Sequence, residues 1–488
     1  MIQKANEIED GATLETDVCV IGSGPAGLAL AQRLEGKVPV LLLESGEAEP
    51  QPAIQDLYRG GSLGRPYFPL DACRVRQLGG SSNCWAGLCR PLEPDDFITR
   101  PWVPNSGWPF GRSTLEPWYA EAERFLGLAG PGWDLDRWSA SAQKPWAFSD
   151  PRVVTSFFKL SAPIRLGTTM RPALAASAGV RVVLGATVTR LALAPDGQRL
   201  DHLVVKRSLG GGGFTVRPRR VVLACGGIEN ARILLASDDV QRTGVGNTHD
   251  RVGRYFMEHP HTDGEARLLG APGLPDTRFY HRHTQHQQAI WGCFMLSPDV
   301  RAREGLLSAA VVLLGGKPDP LVEPLRRTLA DTHGGQLPDK AQLFTFGTPS
   351  EQAPNPESRV LLDGERDPLG VPRVRLDWRL SALDQRSVAR THEILAEAVA
   401  HAGFGRVKLT LSPGQPFPPH THGGRHHMGT TRMHTDPKQG VVDAQLKVHG
   451  VANLYVAGSS VFPTGGSANP TLTLTALARR LAAHLEAS

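Results

Sequence analysis

The sequence predicts an α/β fold in two interleaved units. One is a Rossmann-like, discontinuous nucleotide-binding domain; the other is an α+β domain built on a largely antiparallel sheet. Three observations predict this. A glycine turn joins a strand to a helix near the start, residues 176–262 read as alternating strands with hairpin turns, and the chain ends in a strand, a loop and a helix. The length of 488 residues suits two such units better than one. The expected division gives 10–95, 176–262 and 437–488 to the nucleotide-binding domain, and 96–175 and 263–436 to the substrate or cap domain.

The first element carries the most specific signal. In "TDVCVIGSGPAGLALAQRLEGKVPVLLLES" an apolar strand runs into Gly22-x-Gly24-x-x-Gly27, an alanine-rich helix follows, and a second strand ends at Glu44. Gly22 makes the turn, Gly24 admits a pyrophosphate close to the backbone, and Gly27 lets helix and strand approach. The helix start offers N–H groups to phosphate, and Glu44 can accept from ribose hydroxyls. The motif alone does not separate NAD from FAD.

Further along, Asp196-Gly197 and the run Gly210 to Gly213 mark hairpin tips. The glycine run lacks the Lys-Ser/Thr of a phosphate loop. "IENARILLAS" and "SALDQRSVARTHEILAEAVAHAG" read as helices, and in the last helix Leu474, Leu477, Ala478, Leu481 and Leu485 share a face.

Composition excludes several classes. With 40% hydrophobic and 21% charged residues the chain is globular, not disordered. The 53 basic and 48 acidic residues leave a net charge of +5 without a basic run, which does not support nucleic-acid binding. No stretch approaches the length of a membrane span, and the polar N-terminus lacks the features of a secretory signal. Six cysteines without a CxxC suit a reduced protein, so a cytoplasmic location is expected.

The segment "GGRHHMGTTRMH" sets His426 beside His427. On an extended segment adjacent side chains face opposite ways, so at most one of the two can enter a given pocket. Asn469-Pro470, before an apolar helix, has the form of an N-cap followed by proline at the first helical position. His420-x-His422 is a conceivable chelate, but no carboxylate or cysteine completes a ligand set, and no metal is expected.

Taken in order, "LGGSS", "RVVLACGGIENARILL", "VGRYFMEHP", "PNPESRVLL", "HHMGTTRM" and "NLYVAGSSVFPTGGSANPTLT" resemble the glucose–methanol–choline (GMC) family of FAD-dependent oxidoreductases, nearest its pyranose-oxidase-like, sugar-oxidising branch. The resemblance implies FAD and the oxidation of an alcohol on a sugar, glycoside or polyol, with O2 or another acceptor taking the electrons. It implies that Val188 meets the adenine, Gly458 and Ser459 the pyrophosphate, and Gly79, Gly80, Ser81 and Ser82 the ribityl chain and flavin edge. By spacing to Gly429 it selects His426 as the base, with Asn469 as its partner. His427 then points away into packing or water. The helix start at Pro470 and Thr471 would lie at the flavin.

Three positions depart from the family pattern. Cys84 stands where several relatives carry a flavin-linked histidine, so a histidyl link there is excluded and non-covalent FAD is expected. Ala86 replaces a hydroxyl residue of the pyranose oxidases, and His434 stands where glycine is usual. Trp85 is expected to pack beside the flavin ring. Two alternatives remain at this level: a lyase of the same family without net redox chemistry, and a non-catalytic protein on a flavin fold.

Overall fold

A computed structural model of the chain describes residues 1–139, 143–162, 164–271, 273–315 and 342–487. Its nucleotide-binding domain is built on an eight-stranded sheet. Strands Ile2–Lys4, Val180–Leu184, Val40–Glu44, Thr13–Ile21 and Gly213–Leu223 lie side by side in that order and run parallel. Strand Leu454–Val456 adds parallel to the far end of Gly213–Leu223. Leu200–Arg207 and Ala186–Leu193 complete the sheet antiparallel, through the two hairpin tips read from glycine and aspartate.

The central strands are buried on both faces, which is why "VCVI", "VLLLE" and "VVL" are nearly unbroken apolar runs. Their register, Ile21 against Leu43 and Leu223, brings three strand ends to one edge. The chain turns there at Gly22, whose φ of +98° requires glycine. A Cβ on Gly27 would collide with the Gly22 carbonyl, so helix Pro25–Leu34 can sit down on the turn only with glycine there. Helix Thr471–Ala487 packs beside it. The expected face of the last helix is buried at Leu477, Ala478, Leu481 and Leu485, and Leu472, Ala476 and Ala482 are buried too. Helix Glu116–Phe125 packs on the same helix and shares the nucleotide-binding core, so the segment 96–126 interleaves with that domain.

The second domain contains two antiparallel four-stranded sheets. One is Val312–Gly315, Leu343–Gly347, Ala266–Gly270 and Gly405–Leu409; the other is His283–Gln285, Gln288–Leu296, Val153–Leu160 and Leu88–Cys89. A bridge between Phe294 and Val311 joins them. Helix Ala382–His401 covers the first sheet, and Ser381 and Asp384 close its start as a capping box. A three-stranded sheet of Arg359–Arg366, Pro372–Trp378 and Gly61–Gly64 ties residues near the N-terminus to the later part of the chain. No helix among the described residues is long and apolar enough to cross a membrane.

A short ladder decides where the histidines go. Met257 pairs with Met428, Pro260 with Gly423, and His261 with His422, all antiparallel. Between the first two pairs one side has two residues, Glu258 and His259, and the other has four, Gly424 to His427. The surplus loops out as a bulge, with Arg425 in the left-handed region at φ +62°.

Elsewhere a buried ion pair staples the second domain. Arg100 Nη1 donates to Glu351 Oε2 at 2.9 Å, Arg100 Nη2 to Oε1, and the Ser308 N–H to Oε2 at 3.0 Å. Desolvation pushes the Glu351 carboxyl upward, but Arg100 outweighs it and leaves the group below its usual range. Glu351→Ala strands a buried guanidinium. Urea unfolding is expected to show a loss of about 3–5 kcal/mol, and Glu351→Gln a smaller one.

Candidate active site

A cavity of about 580 Å³ begins at the glycine turn and ends between the two domains. Gly22, Gly24, Glu44, Gly80, Ser81, Ser82, Cys84, Trp85, Val188, Gly458, Ser459, Asn469, Pro470, Thr471 and His426 line it. Among the sequence-selected positions, Gly27 and Gly79 do not. Both are packing glycines, and a Cβ on Gly79 would meet the backbone of Gly167.

The wall is shaped for a close-lying ligand. A Cβ on Gly24, Gly226 or Gly458 would meet nothing within 4 Å, so backbone there faces open space. The Glu44 carboxylate is oriented by the Ser23 N–H at 2.9 Å, the Ser23 hydroxyl at 2.6 Å and the Gly46 N–H at 2.6 Å. Its Oε1 keeps a lone pair for a ribose hydroxyl. On the same side Arg74 and Arg76 each lie 4.1 Å over the Tyr58 ring and bond to Glu229 at 2.7 and 2.8 Å. Desolvation alone would raise the Glu229 carboxyl, but Arg232, Arg74 and Arg76 bring it down to about 2. These features fit a dinucleotide: an acid for a ribose, open glycine backbone for phosphates, and the start of a ten-residue helix, Pro25–Leu34.

The other end holds the histidines. Asn469 Nδ2 lies 3.0 Å from His426 Nε2, His426 Nδ1 lies 2.8 Å from His259 Nδ1, and His259 Nε2 lies 2.9 Å from the Gly466 carbonyl oxygen. The Asn469 carboxamide is thus turned to the imidazole, while helix Thr471–Ala487 begins with the Leu474 N–H donating to Pro470 O. His427 diverges from His426. Its ring sits between Tyr67 and Phe256, with Nε2 at 2.9 Å from the Tyr67 hydroxyl, although one edge still borders the cavity.

A residue without a sequence signal organises this group. The buried Glu258 carboxylate accepts the Tyr67 O–H on Oε1. Its Oε2 accepts the N–H groups of His259, Gly424 and His426, at 3.0, 3.0 and 2.9 Å. Burial pushes the carboxyl up to about 7, and these four donors hold it from rising further. Burial also lowers the imidazoles: His259 to about 4, His427 to about 3, and His426 well below its ordinary value, the last helped by neighbouring His259, His261 and His427. All three are neutral at physiological pH.

His261 is a further imidazole at this end of the cavity. It lines the cavity, its Nε2 is buried without a hydrogen-bond partner, and it lies 2.9 Å from where a Gly424 Cβ would stand. On the cavity wall, burial raises the Cys84 thiol while Arg425 and Arg165 pull it down, and its Sγ lies 3.4 Å from Ser81 O. Trp85 is anchored by Nε1 donating to Ile164 O at 3.0 Å. His420 pairs with Glu265 at 2.9 Å and His422 stacks on His261, so the two do not converge. Among the described residues no group of three or more His, Cys, Asp or Glu side chains could hold a metal. His434 closes a local turn, accepting the Asp436 N–H on Nδ1 at 2.9 Å.

Sequence reasoning missed His259, Glu258, Tyr67 and His261. Glu258 and His259 stood in the family-like segment "VGRYFMEHP" and His259 and His261 in the histidine cluster "HPHTDG", neither of which assigned them a role, and Tyr67 carried no signal at all.

Residues 17–345 match the family described as FAD dependent oxidoreductase, and residues 354–478 the family described as GMC oxidoreductase. The fructose dehydrogenase large subunit of Gluconobacter japonicus is 23% identical over 96% of this chain and 97% of its own length. Paromamine 6'-oxidase of Streptomyces fradiae is 26% identical over 96% and 90%. The crystal structure of pyridoxine 4-oxidase from Mesorbium loti superposes with a TM-score of 0.57 at 19% identity, covering 96% of this chain and 99% of that one. The glycine turn, the two-domain cavity and these matches together place the chain in the GMC family of FAD-dependent oxidoreductases.

Proposed function

We propose that this enzyme oxidises a CH–OH group of a sugar, glycoside or related polyol to a carbonyl, with His426 as base and Asn469 orienting the alcohol oxygen. The His426–Asn469 pair, 3.0 Å apart in a cavity continuous with the glycine turn, carries this reading. The names of the fructose dehydrogenase and the paromamine oxidase support the substrate class.

An alkoxide gives up hydride far more readily than an alcohol, so the reaction needs a base at the hydroxyl. A neutral imidazole with Nε2 turned to the cavity meets that need. The hydroxyl proton passes to Nε2, and the Asn469 amide N–H turns from the ring to the alcohol oxygen. Bound FAD supplies the acceptor for the hydrogen on carbon with its electron pair; dioxygen or another acceptor then receives those electrons. Gly22, Gly24, Glu44, Val188, Gly458, Ser459 and Thr471 would hold the dinucleotide. FAD is held non-covalently in this reading, supported by the raised Cys84 thiol, because attachment needs a thiolate.

Anaerobic mixing of the yellow holoprotein with sugars, glycosides and aminosugars tests the reading. Bleaching by one of these classes is expected, and a substrate that is consumed while the flavin stays yellow would overturn it in favour of a lyase. His426→Ala is expected to slow bleaching about 10²- to 10⁴-fold with the yellow colour retained. The base works deprotonated, and burial holds His426 well below 6.5. The wild-type reduction rate should therefore stay level as pH falls through 6.5 and decline only in more acidic buffer; stopped-flow traces across pH check this.

A further inference from the structure

We propose that His259 is a positioning residue that confines the His426 proton to Nδ1, so that Nε2 is the atom free to act as base. The inference rests on the reading of His426 as base but concerns a separate fact, the tautomer of its ring. It follows from counting protons along the chain of contacts. The Gly466 carbonyl only accepts, so His259 Nε2, 2.9 Å away, carries a proton. A neutral His259 then has a bare Nδ1. The facing atom 2.8 Å away is His426 Nδ1, which must be the donor. A neutral His426 is left with a bare Nε2, and that lone pair accepts from Asn469 Nδ2 at 3.0 Å. Neutrality of both rings follows from their burial at the domain junction.

The groups packed around the pair are consistent with this count. Glu258 is occupied by backbone N–H groups and Tyr67, and Glu351, which also acts on His259, is paired with Arg100, so neither carboxyl is bonded to either ring. His427 faces Tyr67, and His261 Nε2 has no hydrogen-bond partner. The other tautomer of His426 would set two bare nitrogens against each other at 2.8 Å and leave Asn469 facing an N–H. A flipped Asn469 carboxamide could still accept from that N–H, but the lost bond between the two buried rings makes that state minor.

The chain also ends in a carbonyl. A proton taken by Nε2 therefore cannot be passed inward: His259 could accept at Nδ1 only by becoming a cation beside an acceptor that takes no further proton. The proton gained from the alcohol must leave through Nε2, back into the cavity. His259 thus acts through His426 without touching the reacting atoms.

The test uses the FAD-loaded protein with ring-¹⁵N histidine, the His426 signals being assigned by their loss in His426→Ala. The expected wild-type spectrum shows a protonated Nδ1 and a bare Nε2 on His426, unchanged between pH 7 and pH 9. His259→Leu, which removes the acceptor, is expected to populate the Nε2–H form. It should slow anaerobic flavin reduction about 10²-fold, with substrate affinity changed by less than about threefold. His259→Asn, whose carboxamide oxygen can accept at the Nδ1 position, is expected to restore at least tenfold of that rate. A wild-type Nε2–H form, or a tautomer and reduction rate unaffected by His259→Leu, overturns the inference; the wild-type spectrum decides alone if that variant does not fold. An Nδ1–H wild-type ring in a protein whose reduction survives His426→Ala would instead sink the assignment of the base.

Discussion

The site depends on one buried carboxylate. Glu258 sits at the mouth of a two-against-four bulge and gathers three N–H groups from the two segments that carry His259 and His426. Without such an acceptor these donors would be buried and unpaired, at a cost of about 1–3 kcal/mol each. With it, the surplus residues close into a fixed loop and adjacent histidines are driven apart. One ring goes to Asn469 and the other to Tyr67.

This arrangement divides the labour within the cavity. At the strand ends, glycine backbone and the braced Glu44 form a surface on which a dinucleotide can lie without displacing side chains. At the domain junction, neutral imidazoles and a carboxamide line the other end of the cavity. Both ends are braced by buried carboxyl groups: Glu258 at one, and Glu229 among three arginines at the other. Buried charges of this kind are costly to desolvate, so their partners must be complete; here each accepts from several donors.

Asn469 illustrates how two readings of one residue can be separated. Asn-Pro before an apolar helix is a sound capping signal, yet the carboxamide is drawn to His426. The helix begins on the Pro470 carbonyl, so the side chain is available for the cavity. The fixed backbone of proline at the start of the helix makes this possible, since it needs no N–H partner at that position.

The sequence by itself determined the features whose cause is local. The glycine turn, the strands on either side of it, the hairpins at Asp196-Gly197 and Gly210 to Gly213, and the helices at 229–236, 382–401 and 471–487 follow from backbone freedom and apolar periodicity within a few residues. For the adjacent histidines the local sequence said only that one of the two could enter a pocket; the preference for His426 came from the resemblance to the family. Only the tertiary structure decided what stands behind His426. His259 and Glu258 lie more than 160 residues away in the chain, and Tyr67 reaches Glu258 from still farther; their meeting depends on a short ladder and a bulge that no periodicity announces. The same holds for helix Glu116–Phe125, whose partner, helix Thr471–Ala487, is at the opposite end of the chain. Proton positions on a buried ring are set by the donors and acceptors around it, and those are known only once distant segments have packed.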